Sequence, residues 1–174
     1  MLKVRFFVGL AVILILGVLF HFAYDFFNVE ILKIIFPYNE SIFEHLKLIV
    51  FPSIIFMIFD IIFTKDRRGI FSYYTSGIIV ACVFMIASYY TYSGIIGKNI
   101  DYVNIIIFFL CVIIIMYYRM KKITLFDGAN SVIAFVILML FIEIFTFYPT
   151  DINLFSSVSC HLPNQIEFLL VHLH

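Results

Sequence analysis

The chain alternates between long apolar runs and short segments that hold most of its charge. The runs lie near 6–27, 42–63, 71–93, 102–118 and 130–148. Each is about as long as a helix must be to cross roughly 30 Å of hydrocarbon at about 1.5 Å per residue. None shows the strict apolar–polar alternation of a barrel strand, and an open sheet would leave its edge groups unsatisfied in lipid. The pattern predicts an all-α polytopic membrane protein. Five transmembrane helices form a bundle over residues 1–148, and a polar tail follows over 149–174.

Composition removes the soluble alternative. Hydrophobic residues make up 64% of the 174 and charged residues 13%, against about 45–50% and about 25% in soluble domains. A chain of this size buries only about 70% of its surface on folding, so the apolar excess needs lipid as its solvent. The lipid bilayer is therefore the expected partner. Eleven basic residues balance eleven acidic ones, which leaves no net positive field to recruit nucleic acid.

Orientation follows from the basic residues, which favour cytoplasmic loops. Lys3 and Arg5 precede the first run, Lys65, Arg67 and Arg68 follow the second, and Arg119, Lys121 and Lys122 follow the fourth. Lys33, Lys47 and Lys98 fall on the other side. The amino terminus is expected inside and the tail, with its Cys160-His161 and terminal His172 and His174, outside. Tyrosine, with an apolar ring and a wet hydroxyl, gathers at the proposed ends, as in Tyr24, Tyr38, Tyr89 and Tyr90 outside and Tyr73, Tyr74, Tyr117 and Tyr118 inside. The first run exceeds the 7–15 residues of a signal-peptide core and lacks a clear cleavage site, so it is expected to remain as a span. Cys82 and Cys111 lie mid-span and imply no disulfide framework.

Ionisable groups within the spans carry the candidate chemistry, because each costs roughly 2.5–3.5 kcal/mol near the bilayer centre and must face protein or water. His21 and Asp25 are spaced i, i+4 with Asn28 at i+7, which sets them on one face of the first helix, and Gly17 one turn below admits a neighbouring helix. Ser41 and Glu44 fit a capping box at the start of the second helix, which leaves Glu40 and His45 without a structural role. Glu143 lies in the outer half of the fifth run. Together His21, Asp25, Glu40, Glu44, His45 and Glu143 have the mixed carboxylate and imidazole character of a divalent metal site for zinc, manganese or iron. His21, Asp25, Glu40, Glu44 and His45 are the candidate ligands. Without metal, Glu143 facing the bundle interior would load and unload a proton. Asp60, about one turn from Lys65-Asp66-Arg67-Arg68, is expected to snorkel toward that loop. Pro52 is expected to bend the second helix, and the short apolar segment from Val29 to Phe36 to lie flat at the outer interface, over the cluster.

The sequence resembles a family of small bacterial integral membrane proteins that is a domain of unknown function. Its members carry a histidine and an acidic residue near the end of the first span, then a Pro-x-Asn-Glu-Ser-x-Trp-Glu-His-Leu-Lys block and a Phe/Trp-Pro pair. Here His21, Asp25, Pro37, Asn39, Glu40, Ser41, Glu44, His45, Leu46, Lys47, Phe51 and Pro52 match, and Phe43 replaces the tryptophan. The resemblance covers the five spans to about Tyr148. It implies a multi-pass protein of the bacterial plasma membrane and supplies no substrate or cofactor.

Three activities fit these residues. One is a membrane-embedded hydrolase or transferase acting on a lipid or envelope precursor, with His21, Asp25, Glu44, His45 and Glu143 as acid–base groups or metal ligands. Another is a carrier that exchanges protons or cations through Glu143 and the His21/Asp25 face. The third is a non-catalytic assembly or accessory subunit in which the polar residues only join helices.

Overall fold

The computed structural model describes residues 2–27, 29–38 and 41–147. Within them the chain forms α1 (Leu2–Phe27), a short 3-10 helix (Glu30–Ile34), α2 (Ile42–Phe63), α3 (Ile70–Ile96), α4 (Asp101–Lys121) and α5 (Gly128–Phe147), with no strand among the described residues. All five α-helices are long and apolar enough to cross a membrane, so the chain has the make-up of a multi-pass membrane protein.

The helices α1 to α4 pack in a ring, each on the next and α4 back on α1, while α5 lies outside the ring against α2 and α3. The arrangement places two sets of helix ends together. At the basic end lie the start of α1, the end of α2, the start of α3 and the end of α4. At the opposite end lie the 3-10 helix, the start of α2 and the end of α5.

Small residues set how closely the ring closes. Gly9, Ile13 and Gly17, four residues apart, are the buried positions among the described side chains of α1. A methyl group at Gly17 would lie 3.2 Å from the Leu48 carbonyl and would overlap the Phe108 ring. That carbonyl is the one Pro52, inside α2, leaves without its i+4 amide donor. Gly77 on α3 meets the α4 backbone, where a methyl would stand 3.0 Å from Ile115 Cα. Such close contacts draw helices together in lipid, where no hydrophobic force does so. Outward from the ring, α1 and α5 present Phe7, Ile15, Leu19, Val132, Ile137 and Leu140, a surface that hydrocarbon covers at no cost.

Two of the tyrosines near the helix ends are closed off from the surface. Tyr74 is fully buried and Tyr89 nearly so, because each turns into the ring. The expected tail over 149–174 lies outside the described residues.

Candidate functional site

The first two turns of α2 carry the densest buried polarity at the end opposite the basic one. Ser41 takes the N-cap position in extended conformation but makes no side-chain cap bond. Instead its carbonyl accepts the His45 amide at 3.1 Å and the His45 ring, whose Nδ1 lies 2.9 Å away. A carbonyl only accepts, so Nδ1 carries the proton. The expected capping box is therefore replaced, since Glu44, its other half, is drawn inside the bundle.

Glu44 is buried and fully engaged. Its carboxylate receives Lys47 Nζ at 3.2 and 3.0 Å, the Thr146 hydroxyl at 2.8 Å and the Tyr38 amide at 3.3 Å. Lys47 is wholly inaccessible, and its ammonium also donates to the Lys33 carbonyl of the 3-10 helix. Three acceptors meet its three protons, the condition under which a buried ion pair offsets its desolvation. Lys47 is thus no loop charge, as its count among the outer basic residues supposed. From α2's second turn the side chain points inward to Glu44, its i−3 neighbour.

Helix α5 closes the site. Thr146 bonds Glu44, and its carbonyl accepts the Tyr38 hydroxyl at 3.3 Å. One turn before it, Glu143 is near enough to feel both the Lys47 ammonium and the Glu44 carboxylate. Both Glu143 oxygens are buried and have no hydrogen-bond partner among the described residues. The 3-10 helix lies across this end, with Lys33 paired to Glu30 at 3.3 Å and its ammonium 5.3 Å from the Tyr38 ring centroid. The hydrogen bond to Glu30 holds the Lys33 ammonium above its ordinary range.

The candidate residues thus divide in two. Glu44 and Glu143 gather around Lys47 between α2 and α5. His45, next along α2 and about 100° around it, faces α1, where its ring centroid is 5.6 Å from that of His21. His21 Nδ1 is buried without a hydrogen-bond partner among the described residues. The side chain of Asp25 and all of Glu40 lie outside the described residues. Among those described, no three His, Cys, Asp or Glu side chains are grouped to hold a metal ion.

A second centre, at the basic end, has Asp60 at its heart. Arg119 Nε donates to Oδ2 at 2.6 Å and Arg5 Nη1 to Oδ1 at 3.1 Å. The Tyr74 and Thr64 hydroxyls lie 3.3 and 2.9 Å away. Asp60 does not snorkel to the Lys65–Arg68 loop, because guanidinium groups from α1 and α4 reach it inside the bundle. Lys47, Thr146, Arg5, Tyr74 and Arg119 escaped the sequence reading of candidate sites. A count of depth would have aligned Arg5, Asp60 and Arg119, each within about a turn of a helix end, whereas nothing in the sequence pointed to Thr146.

No curated protein and no solved structure matches the chain. A family model described as a family of unknown function, DUF6512, matches residues 2–161, beyond the expected limit near Tyr148. With that match spanning nearly the whole of it, the chain belongs to the family of unknown function DUF6512.

Proposed function

We propose that this protein is a bacterial plasma-membrane carrier, amino terminus inside, that takes up and releases a proton or small cation at Glu143. The observation that carries this reading is the pair of buried Glu143 oxygens that meet no hydrogen-bond donor among the described residues, beside the closed Glu44–Lys47 pair. That pair is neutral and saturated. Protonated Glu143 keeps the site neutral, and ionised Glu143 leaves it one negative charge in excess. A carboxyl group so placed gains from binding a proton or a cation, because no hydrogen bond from a described residue supports its charge. His21 Nδ1, buried near His45 and without a hydrogen-bond partner among the described residues, supplies a further proton-exchanging group at the same end.

Infrared difference spectra of the protein in liposomes test this. A protonated-carboxyl band that titrates with pH in the wild type and is missing in Glu143→Gln supports it. Its absence from the wild type, together with no Glu143-dependent proton flux, overturns it.

A membrane-embedded hydrolase or transferase is the second reading, favoured by one observation. The Ser41 carbonyl holds His45 in a single tautomer facing His21, the way a general base or a metal ligand is oriented. A metal-dependent form would draw on Asp25 or Glu40 as well. Stoichiometric metal in purified protein, lost in His45→Ala, would favour it over the carrier.

A further inference from the structure

The 3-10 helix Glu30–Ile34 lies over Lys47 and packs on α5. It buries no residue of its own, while the Lys47 side chain beneath it is wholly inaccessible and both Glu143 oxygens are buried. Pro37 decides how this cover is held. In a helical turn the Lys33 carbonyl would accept an amide three or four residues on. The Phe36 amide goes to the Leu32 carbonyl instead, at 2.8 Å, and Pro37 has no amide proton to give. The Lys33 carbonyl is left to a side chain, and the Lys47 ammonium takes it. Tyr38 adds two bonds where the segment ends, from its amide to Glu44 and from its hydroxyl to the Thr146 carbonyl, and Phe36 packs edge-on against Phe20 with ring centroids 4.7 Å apart. Of these bonds, only that from Lys47 reaches the 3-10 helix itself.

Lys47 has no proton to spare. Two of its three N–H groups serve the Glu44 oxygens and the third the Lys33 carbonyl. Glu143 is close enough to act on the same ammonium. A protonated Glu143 makes no claim on it, but an ionised one does. In so dry a place a carboxylate holds an ammonium more strongly than a neutral carbonyl can, so of the three acceptors the Lys33 carbonyl is the one given up. Once released it has no amide to fall back on, and a buried carbonyl without a donor is costly. The segment then lifts until water reaches it.

The other charged and titratable groups described at this end are engaged elsewhere. The Lys33 ammonium is paired with Glu30 and lies near Tyr24 of α1, and His45 of α2 turns toward His21 of α1. Helix α3, which also packs on α5, carries no acid, lysine, arginine or histidine. We propose that Lys47 latches the 3-10 helix over the Glu143 site and lets it go when Glu143 ionises. Resting on the reading of Glu143 as the exchanging group, this latch sets the order of events at that end. The empty, ionised site is open to the medium, and the loaded, neutral site is closed.

Hydrogen–deuterium exchange of the full chain in liposomes, normalised to the intrinsic amide rate at each pH, reads the cover at the Ile35 and Phe36 amides, both bonded to the Leu32 carbonyl. In the wild type their protection is expected to fall about tenfold or more as the pH rises through the titration of the Glu143 carboxyl band. Glu143→Gln, neutral at every pH, is expected to keep the protection that the wild type shows at low pH. Lys33→Ala retains the carbonyl that Lys47 holds and is expected to respond as the wild type does. Protection that ignores pH while the carboxyl band titrates would overturn the latch and leave Glu143 as the exchanging group, whereas a band that never titrates would remove both together. A pH response that persists in Glu143→Gln, or vanishes in Lys33→Ala, would put control of the cover in another group and equally overturn the latch.

Discussion

Lys47 and Glu44, one turn apart on α2, form an ion pair shut inside the bundle, with Nζ 3.0 Å from Oε2 and neither side chain more than 3% exposed. Removing one partner strands the other in a dry site. Lys47→Met is expected to cost about 3–5 kcal/mol of stability, whereas Glu44→Gln/Lys47→Met recovers most of the loss. Unfolding of the detergent-solubilised variants reads this directly. A double variant no better than the single one would show that the pair is not the unit of stability.

The same reasoning applies at the basic end with the sign of the charge reversed. Asp60→Asn leaves Arg5 and Arg119 facing each other without a counter-charge, for a loss of about 3–5 kcal/mol. The Glu143 carboxyl band should be unmoved, because the two centres lie at opposite ends of the bundle. An altered band in Asp60→Asn would reveal coupling between them.

Glycine positions separate packing from propensity. Gly17→Leu pushes into Phe108 and the Leu48 carbonyl and is expected to cost about 1–3 kcal/mol through overpacking. Gly94→Ala, with nothing within 4 Å of the added methyl, is expected to stabilise α3 by about 0.5 kcal/mol. Unfolding midpoints that move in the same direction for both would contradict this packing.

The proposed orientation predicts which turns face the cell exterior. A membrane-impermeant thiol reagent on intact cells should label Lys98→Cys, between α3 and α4, and spare Leu125→Cys, between α4 and α5. Cys82 and Cys111 are buried and should contribute no background, and Cys160, in the tail expected outside, is replaced by Ser in both variants. The reverse labelling pattern would invert the topology.

Five spans could be read from the residues alone because partition into lipid is a sum over some twenty neighbours in the chain and needs no knowledge of what lies across the bundle. Gly17 was legible as a contact for the same local reason. The rotation of each helix was not. In water an amphipathic stripe shows which face turns inward, but α1 to α5 are apolar all round, so lipid-facing and protein-facing sides look alike. Glu44 meets Thr146 across 102 positions of sequence and Asp60 meets Arg119 across 59. Those encounters depend on depth and rotation together. Packing of α4 and α5 against α2 turned a presumed capping residue and a presumed snorkelling one into the centres of two buried charge clusters.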